Sequence, residues 1–138
     1  MNDEYKTLVD EATRLSVPHP LTDEATAGFV GAALLASNGK VYTGVSLTGA
    51  CGIQFCGEVG AVMSMLKDNV SQIKAITAVS NDHKLMPPCG RCRELMFEID
   101  RRNLQTDVIL ENGKVIKLAD IFPERWQELW EDSIKPVV

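Results

Sequence analysis

The sequence predicts an α/β fold in which one mixed sheet carries helices on both faces. Three observations predict it. Residues 29–36 and 73–80 are continuous apolar runs, as strands covered on both sides would be. Stretches with apolar residues at helical spacing separate the strands. Two Asn-Gly pairs, Asn38-Gly39 and Asn112-Gly113, mark tight reversals between neighbouring strands. The expected order is α-β-β-α-β-α-β-β-α, in one domain spanning residues 1–138.

The chain has 138 residues, which suits one hydrophobic core and not two. Its 45% hydrophobic and 24% charged content is that of a soluble globular protein. A net charge of −5 gives no long-range attraction for phosphate backbones, which argues against a nucleic-acid polymer as partner. No apolar run is long enough to cross a bilayer. The start, Met1-Asn2-Asp3-Glu4, lacks the basic and apolar stretches of a signal peptide. The cytoplasm is the expected compartment. Four cysteines there point to metal binding or catalysis rather than to disulfides.

Each element has its own signal. Residues 3–16 read as a helix capped by Asn2 or Asp3, with Tyr5, Leu8, Val9, Ala12 and Leu15 on one face. Pro18 and Pro20 end it, and His19 between them reads as a loop residue. Residues 29–36 form a strand. Asn38-Gly39 predicts a type I′ turn with positive φ at both positions, and residues 41–47 return. Residues 48–55 form a loop containing Gly49, Cys51 and Gly52.

Cys56 opens a second helix running to Lys67, packed through Val59, Val62, Met63 and Leu66. Met63 and Met65 read as core filling. Residues 73–80 form a strand and 81–88 a polar loop with His83. A third helix begins at Cys89 or Gly90, with Leu95, Met96 and Ile99 inward and Arg101-Arg102 in its last turn. Residues 107–111 and 115–117 are strands flanking the second Asn-Gly turn. Residues 120–134 read as a helix interrupted near Pro123, a residue suited to a first helical turn.

The chemistry concentrates in two stretches, Cys56-Gly57-Glu58 and Pro88-Cys89-Gly90-Arg91-Cys92-Arg93. This Cys-x-Glu followed by Pro-Cys-x-x-Cys is close to the general signature of zinc deaminases. Three cysteines supply the ligand count of a catalytic zinc site, which leaves a fourth position for water. Both stretches fall at predicted helix starts, where free N–H groups stabilise thiolates. Three thiolates outweigh the charge of Zn²⁺, so donors to the sulfurs are expected nearby. Arg91 and Arg93 are the candidates. Glu58, in the first helical turn, is placed to shuttle protons without ligating the metal. Cys51 is read as pocket lining or packing, with a closed four-cysteine zinc as the alternative. His83 reads as a solvated loop residue.

At these residues the chain resembles the cytidine deaminase family of zinc nucleoside deaminases. The Pro-Cys-Gly-Arg-Cys-Arg form is closest to its blasticidin-S deaminase branch. Val30-Gly31-Ala32-Ala33-Leu34, Asn38-Gly39 and Val41-Tyr42-Thr43-Gly44 are similar to the family's first hairpin. The resemblance implies a three-layer α/β/α sandwich around a five-stranded mixed sheet. It implies zinc on Cys56, Cys89 and Cys92, with Glu58 as proton shuttle. It also implies a homotetramer with sites near subunit contacts, and deamination of a cytosine nucleoside with release of ammonia.

Four departures qualify the resemblance. Gly57 stands where the family has Ala, and Val59 where it often has Arg. Ser46-Leu47-Thr48 stands where the family binds ribose with Asn-x-Glu, so Ser46 and Thr48 become the candidate sugar contacts. The family's pocket phenylalanine is displaced from Gly28 to Phe29, which stays a candidate substrate contact although a one-residue shift in a strand moves a side chain to the other face. Trp126 and Phe122-Pro123 are candidates to replace an aromatic that covers the base. The leading expectation is a zinc-dependent hydrolytic deaminase of a cytosine-type nucleoside. The alternatives are a deaminase of aminonucleoside antibiotics or modified bases, and a non-catalytic zinc module that binds a nucleoside or a protein.

Overall fold

A computed structural model describes residues 1–130. The strands are β1 (His19–Pro20), β2 (Ala25–Ala36), β3 (Val41–Gly49), β4 (Gln54–Phe55), β5 (Ile73–Ser80), β6 (Leu85–Met86), β7 (Asp107–Ile109) and β8 (Val115–Lys117). They form one sheet in the order β4-β3-β2-β5-β7-β8, with β1 paired to β2 and β6 paired to β5. Five strands carry the sheet, and three two-residue strands pair onto β2, β3 and β5. The β5–β7 pair is parallel and the others are antiparallel, so the sheet is mixed as expected.

The helices are α1 (Asp3–Leu15), α2 (Gly57–Lys67) and α3 (Gly90–Ile99). Asn2 caps α1, its side-chain oxygen accepting from Tyr5 N at 2.8 Å. Leu8 and Ala12 of α1 cover one sheet face with Ala33, Leu35, Ala75, Val79 and Ile109. On the other face Ala61, Val62 and Met65 of α2 and Met96 of α3 pack against Leu34, Tyr42, Ile76 and Val108. The result is the three-layer α/β/α arrangement.

Several local expectations need correction. Gly39 has φ +82°, but Asn38 does not enter the left-handed region, so the first reversal is not type I′. Asn38 instead accepts from Lys40 N at 3.0 Å and donates to the Tyr42 hydroxyl at 3.0 Å. At the second reversal both Asn112 (φ 59°) and Gly113 (φ 73°) are left-handed. Met65 is buried but Met63 is 50% exposed, because α2 turns residues 61, 62 and 65 inward. Helix α3 stops at Ile99. Arg101 and Arg102 fall in the following 3₁₀ turn (Arg101–Gln105), whose start Asp100 caps through Arg102 N.

The expected last helix is replaced, within the described residues, by 3₁₀ turns at Leu118–Ile121 and Trp126–Trp130. Its final residues, 131–134, lie outside the described part. Buried here is Gln127, while Leu129 is 75% exposed, so an apolar packing helix is not formed. The segment is held to α3 by polar contacts. Both Glu94 carboxylate oxygens are taken, one by the Trp126 indole N–H and one by the Gln127 amide at 2.8 Å. Phe122 meets Phe97 edge-on at 5.8 Å, and Arg101 and Arg125 lie over the Phe97 ring. Among the described residues no helix is long and apolar enough to cross a membrane.

Candidate active site

Helices α2 and α3 both start with a cysteine at the N-cap, Cys56 and Cys89. Neither thiol caps its own helix, so both are free to face outward from the helix starts. Cys92 lies one turn into α3 and is buried. The three Sγ atoms lie within 4.8 Å of one another, with 3.3 Å between those of Cys56 and Cys89. A tetrahedral zinc with Zn–S of about 2.3 Å places sulfurs about 3.8 Å apart, so this donor set fits the ion in both chemistry and spacing. Cys51 is exposed, in the left-handed region at φ 58°, and outside the cluster.

The thiols differ in environment. Burial raises the pKa of Cys56, and the neighbouring Cys89 adds to it. Burial and the nearby Glu58 raise that of Cys92. For Cys89, burial raises the pKa, but hydrogen bonds from the Cys92 and Arg91 backbone and from the neighbouring thiols bring it below the usual thiol value. Such a cluster is stabilised as thiolates by a cation placed among the sulfurs.

Glu58 is the second residue of α2, 5% exposed. Burial raises its pKa, opposed by its own backbone N–H. It has no ion-pair partner among the described residues. A buried carboxyl of this kind, beside a metal-ligating cluster, suits proton transfer.

The position of Glu58 follows from close backbone packing. Helix α2 crosses β3 where Gly44 meets Gly57, Gly60 and Ala61, with no room for a side chain on Gly44. A methyl group on Gly57 would stand 3.2 Å from Val30 O and 3.3 Å from Ala32 Cβ. Glycine there lets the helix start sit against β2.

In front of the cluster is a cavity of about 320 Å³ walled by Phe29, Ser46, Thr48, Cys56, Glu58, Cys89 and Arg91, among others. Phe29 therefore faces this cavity, contrary to the strand-alternation argument. The reason is a register break in the β2–β3 pairing between Ala27 and Gly31, where Gly28 adopts φ +92°. Three residues of β2, 28–30, stand there opposite the single residue Ser46 of β3, so simple alternation of faces does not hold. Ser46 also lines the cavity, but its hydroxyl oxygen accepts from Val30 N at 2.9 Å and so ties the break to β3. Thr48 is exposed on the wall.

The two arginines hydrogen-bond to backbone carbonyls. Arg91 Nη1 donates to Gln54 O at 3.4 Å, and Arg93 Nη1 to Ile121 O at 2.6 Å. Arg93 Nε is buried and has no hydrogen-bond partner among the described residues. Trp126 lies away from the cavity, against Glu94 on α3. The sequence reading missed Gln54, Phe55, Met86 and Pro87, which complete the wall. The signal for Gln54 and Phe55 is their pairing with β3, which the glycine-containing loop conceals in the linear sequence.

A three-layer sandwich with three cysteines and a buried glutamate gathered at two helix starts defines the cytidine deaminase class of fold. The cytidine deaminase structure from Mycobacterium tuberculosis aligns with a TM-score of 0.73 at 23% identity, covering 91% of this chain and 98% of that one. That from Burkholderia pseudomallei aligns at 0.70 with 27% identity, covering 91% and 100%. In sequence, the cytidine deaminase of Halalkalibacterium halodurans is 35% identical over 71 residues, which are 51% of this chain and 54% of that protein. That of Mycobacterium tuberculosis is 28% identical over 96 residues, 69% of this chain and 70% of its own length. The chain thus spans about half the length of the first of these relatives. No protein-family model matches. These sequence relatives and structural neighbours are cytidine deaminases, and the chain shares the fold of the solved ones.

Proposed function

We propose that this chain is a zinc-dependent hydrolase that deaminates a small cytosine-type nucleoside, converting the ring amidine to the carbonyl form and releasing ammonia. The observation that carries the reading is the buried Glu58, with no ion-pair partner among the described residues, beside three converging cysteine sulfurs. Cys56, Cys89 and Cys92 would hold the zinc. When bound, zinc supplies Lewis acidity that makes water a nucleophile at neutral pH. Glu58 takes a proton from the attacking water and delivers protons to the ring nitrogen and the leaving amine. The balance closes: one water enters, its oxygen becomes the carbonyl, and one ammonia leaves. A structural zinc module has no use for a buried carboxyl in this position.

The apolar wall of Phe29, Leu47, Phe55 and Met86 suits a flat ring. A homotetramer belongs to the same reading. A groove of about 610 Å³ between α2 and α3 is lined by Phe55, Val59, Met63, Leu95 and Ile99. It shares Phe55 and Arg91 with the cavity, so a second copy seated there would border the site. The four free cysteines are in keeping with a cytoplasmic setting.

The test is ammonia release by the zinc-loaded protein from cytidine, deoxycytidine, blasticidin S and cytosine. Turnover of a nucleoside, lost in Glu58→Ala, supports the reading. Release from none of them, with zinc held by four cysteines including Cys51, overturns it.

A further inference from the structure

We infer that Gln54, paired with Thr48, recognises the substituent carried on the reacting ring and selects a neutral, hydroxyl-bearing one; this rests on the nucleoside reading above. The β3–β4 register sets Thr48 opposite Gln54. Directly opposed residues of an antiparallel pair project to the same face. Both line the cavity. Neither side chain has a hydrogen-bond partner among the described residues. The third neutral polar side chain of the wall, Ser46, is already engaged by Val30 N.

The carboxamide of Gln54 and the hydroxyl of Thr48 each offer a donor and an acceptor. A sugar hydroxyl, itself both donor and acceptor, satisfies such a pair in either direction. Most of the remaining wall is apolar, so these two groups are where a polar substituent finds neutral partners. An ammonium finds no carboxylate beside them among the described residues, since the one carboxylate these give the wall, Glu58, is buried at the reacting end. The backbone of Gln54 is tethered: its carbonyl accepts from Arg91 Nη1, on the turn between two of the cysteines. The recognising strand edge and the cysteine cluster are thereby linked through one side chain.

The experiment measures equilibrium binding of uridine, uracil and uridine 5′-phosphate to the zinc-loaded wild type, Gln54→Leu and Thr48→Val, beside ammonia release from cytidine. Uridine should bind more tightly than uracil. Gln54→Leu should weaken uridine about three- to tenfold, as loss of one neutral hydrogen bond does, and leave uracil unchanged. In turnover, KM for cytidine should rise with kcat unchanged, the mark of lost substrate binding. Gln54 is exposed, so the unfolding midpoint should not move. Unchanged uridine binding in Gln54→Leu, an equal loss for uracil, or a more than about tenfold preference for the phosphate overturns the inference. Absence of ammonia alongside Gln54-dependent uridine binding overturns the deaminase reading and leaves this one standing.

Discussion

Gly44 of β3 and Gly60 of α2 pack backbone against backbone: a Cβ on Gly60 would stand 3.2 Å from the Gly44 Cα. A Cβ on Gly44 would stand 2.5 Å from both Ala61 N and Gly57 O. The contact sets the depth of α2 on the sheet, and hence the height of Cys56 and Glu58 above it.

Gly44→Ala should therefore destabilise the fold by about 2 kcal/mol, the ordinary cost of overpacking. It should also weaken zinc binding, because α2 must lift to admit the methyl group. Urea unfolding and a competitive zinc chelator measure the two effects. An alanine variant with unchanged zinc affinity would separate the glycine contact from the site.

Glu58→Gln keeps the shape of a buried side chain and removes its proton chemistry. Ammonia release should fall by at least about a hundredfold, the scale of a lost general acid–base. Zinc content, read by mass spectrometry of the native protein, should stay at that of the wild type.

Asn103 is fully buried and serves three backbone groups. Its oxygen accepts from Ile73 N at 2.8 Å, and its amide donates to Ser71 O at 2.9 Å and Met96 O at 2.8 Å. It joins the start of β5 to the end of α3. Asn103→Ala leaves these groups unpaired in the interior and should cost about 3 kcal/mol or more in urea unfolding.

Asp100 is held low, at about pKa 2, by the Arg102 guanidinium first, with Ser71 and Arg102 N also donating. A depressed carboxyl stabilises the fold above its unfolded pKa, and that contribution disappears as pH falls through the folded value. Asp100→Asn should be less stable than the wild type near about pH 7, and the two should converge between about pH 4 and pH 2. Urea midpoints across that window show it. Arg102 is 67% exposed, so added salt should shrink the difference at neutral pH.

Periodicity located β5 and α1 closely, because each lies over a continuous apolar surface and little else competes. The three sulfurs and Glu58 were legible because their spacing is local and both N-caps are cysteines. Phe29 was not: whether it faces the cavity depends on the register break at Gly28, where a Cβ would stand 2.4 Å from Val17 O. That contact joins segments apart in sequence. Gln54 was hidden for the same reason, since its face is set by Thr48 across the β3–β4 pair. The last helix failed because Glu94 and Phe97, not an apolar stripe, hold residues 122–127.

The hold of Glu94 on Trp126 also gives the protein a built-in optical reporter. The sequence has two tryptophans, and the indole of Trp126 is bonded to the helix whose first turn carries Cys89 and Cys92. Indole emission responds to its hydrogen-bond partner and to solvent. Any displacement of α3 as the cysteines close around a metal ion is therefore transmitted to a fluorophore hydrogen-bonded to that helix, and Glu94→Ala would cut that link without touching a sulfur.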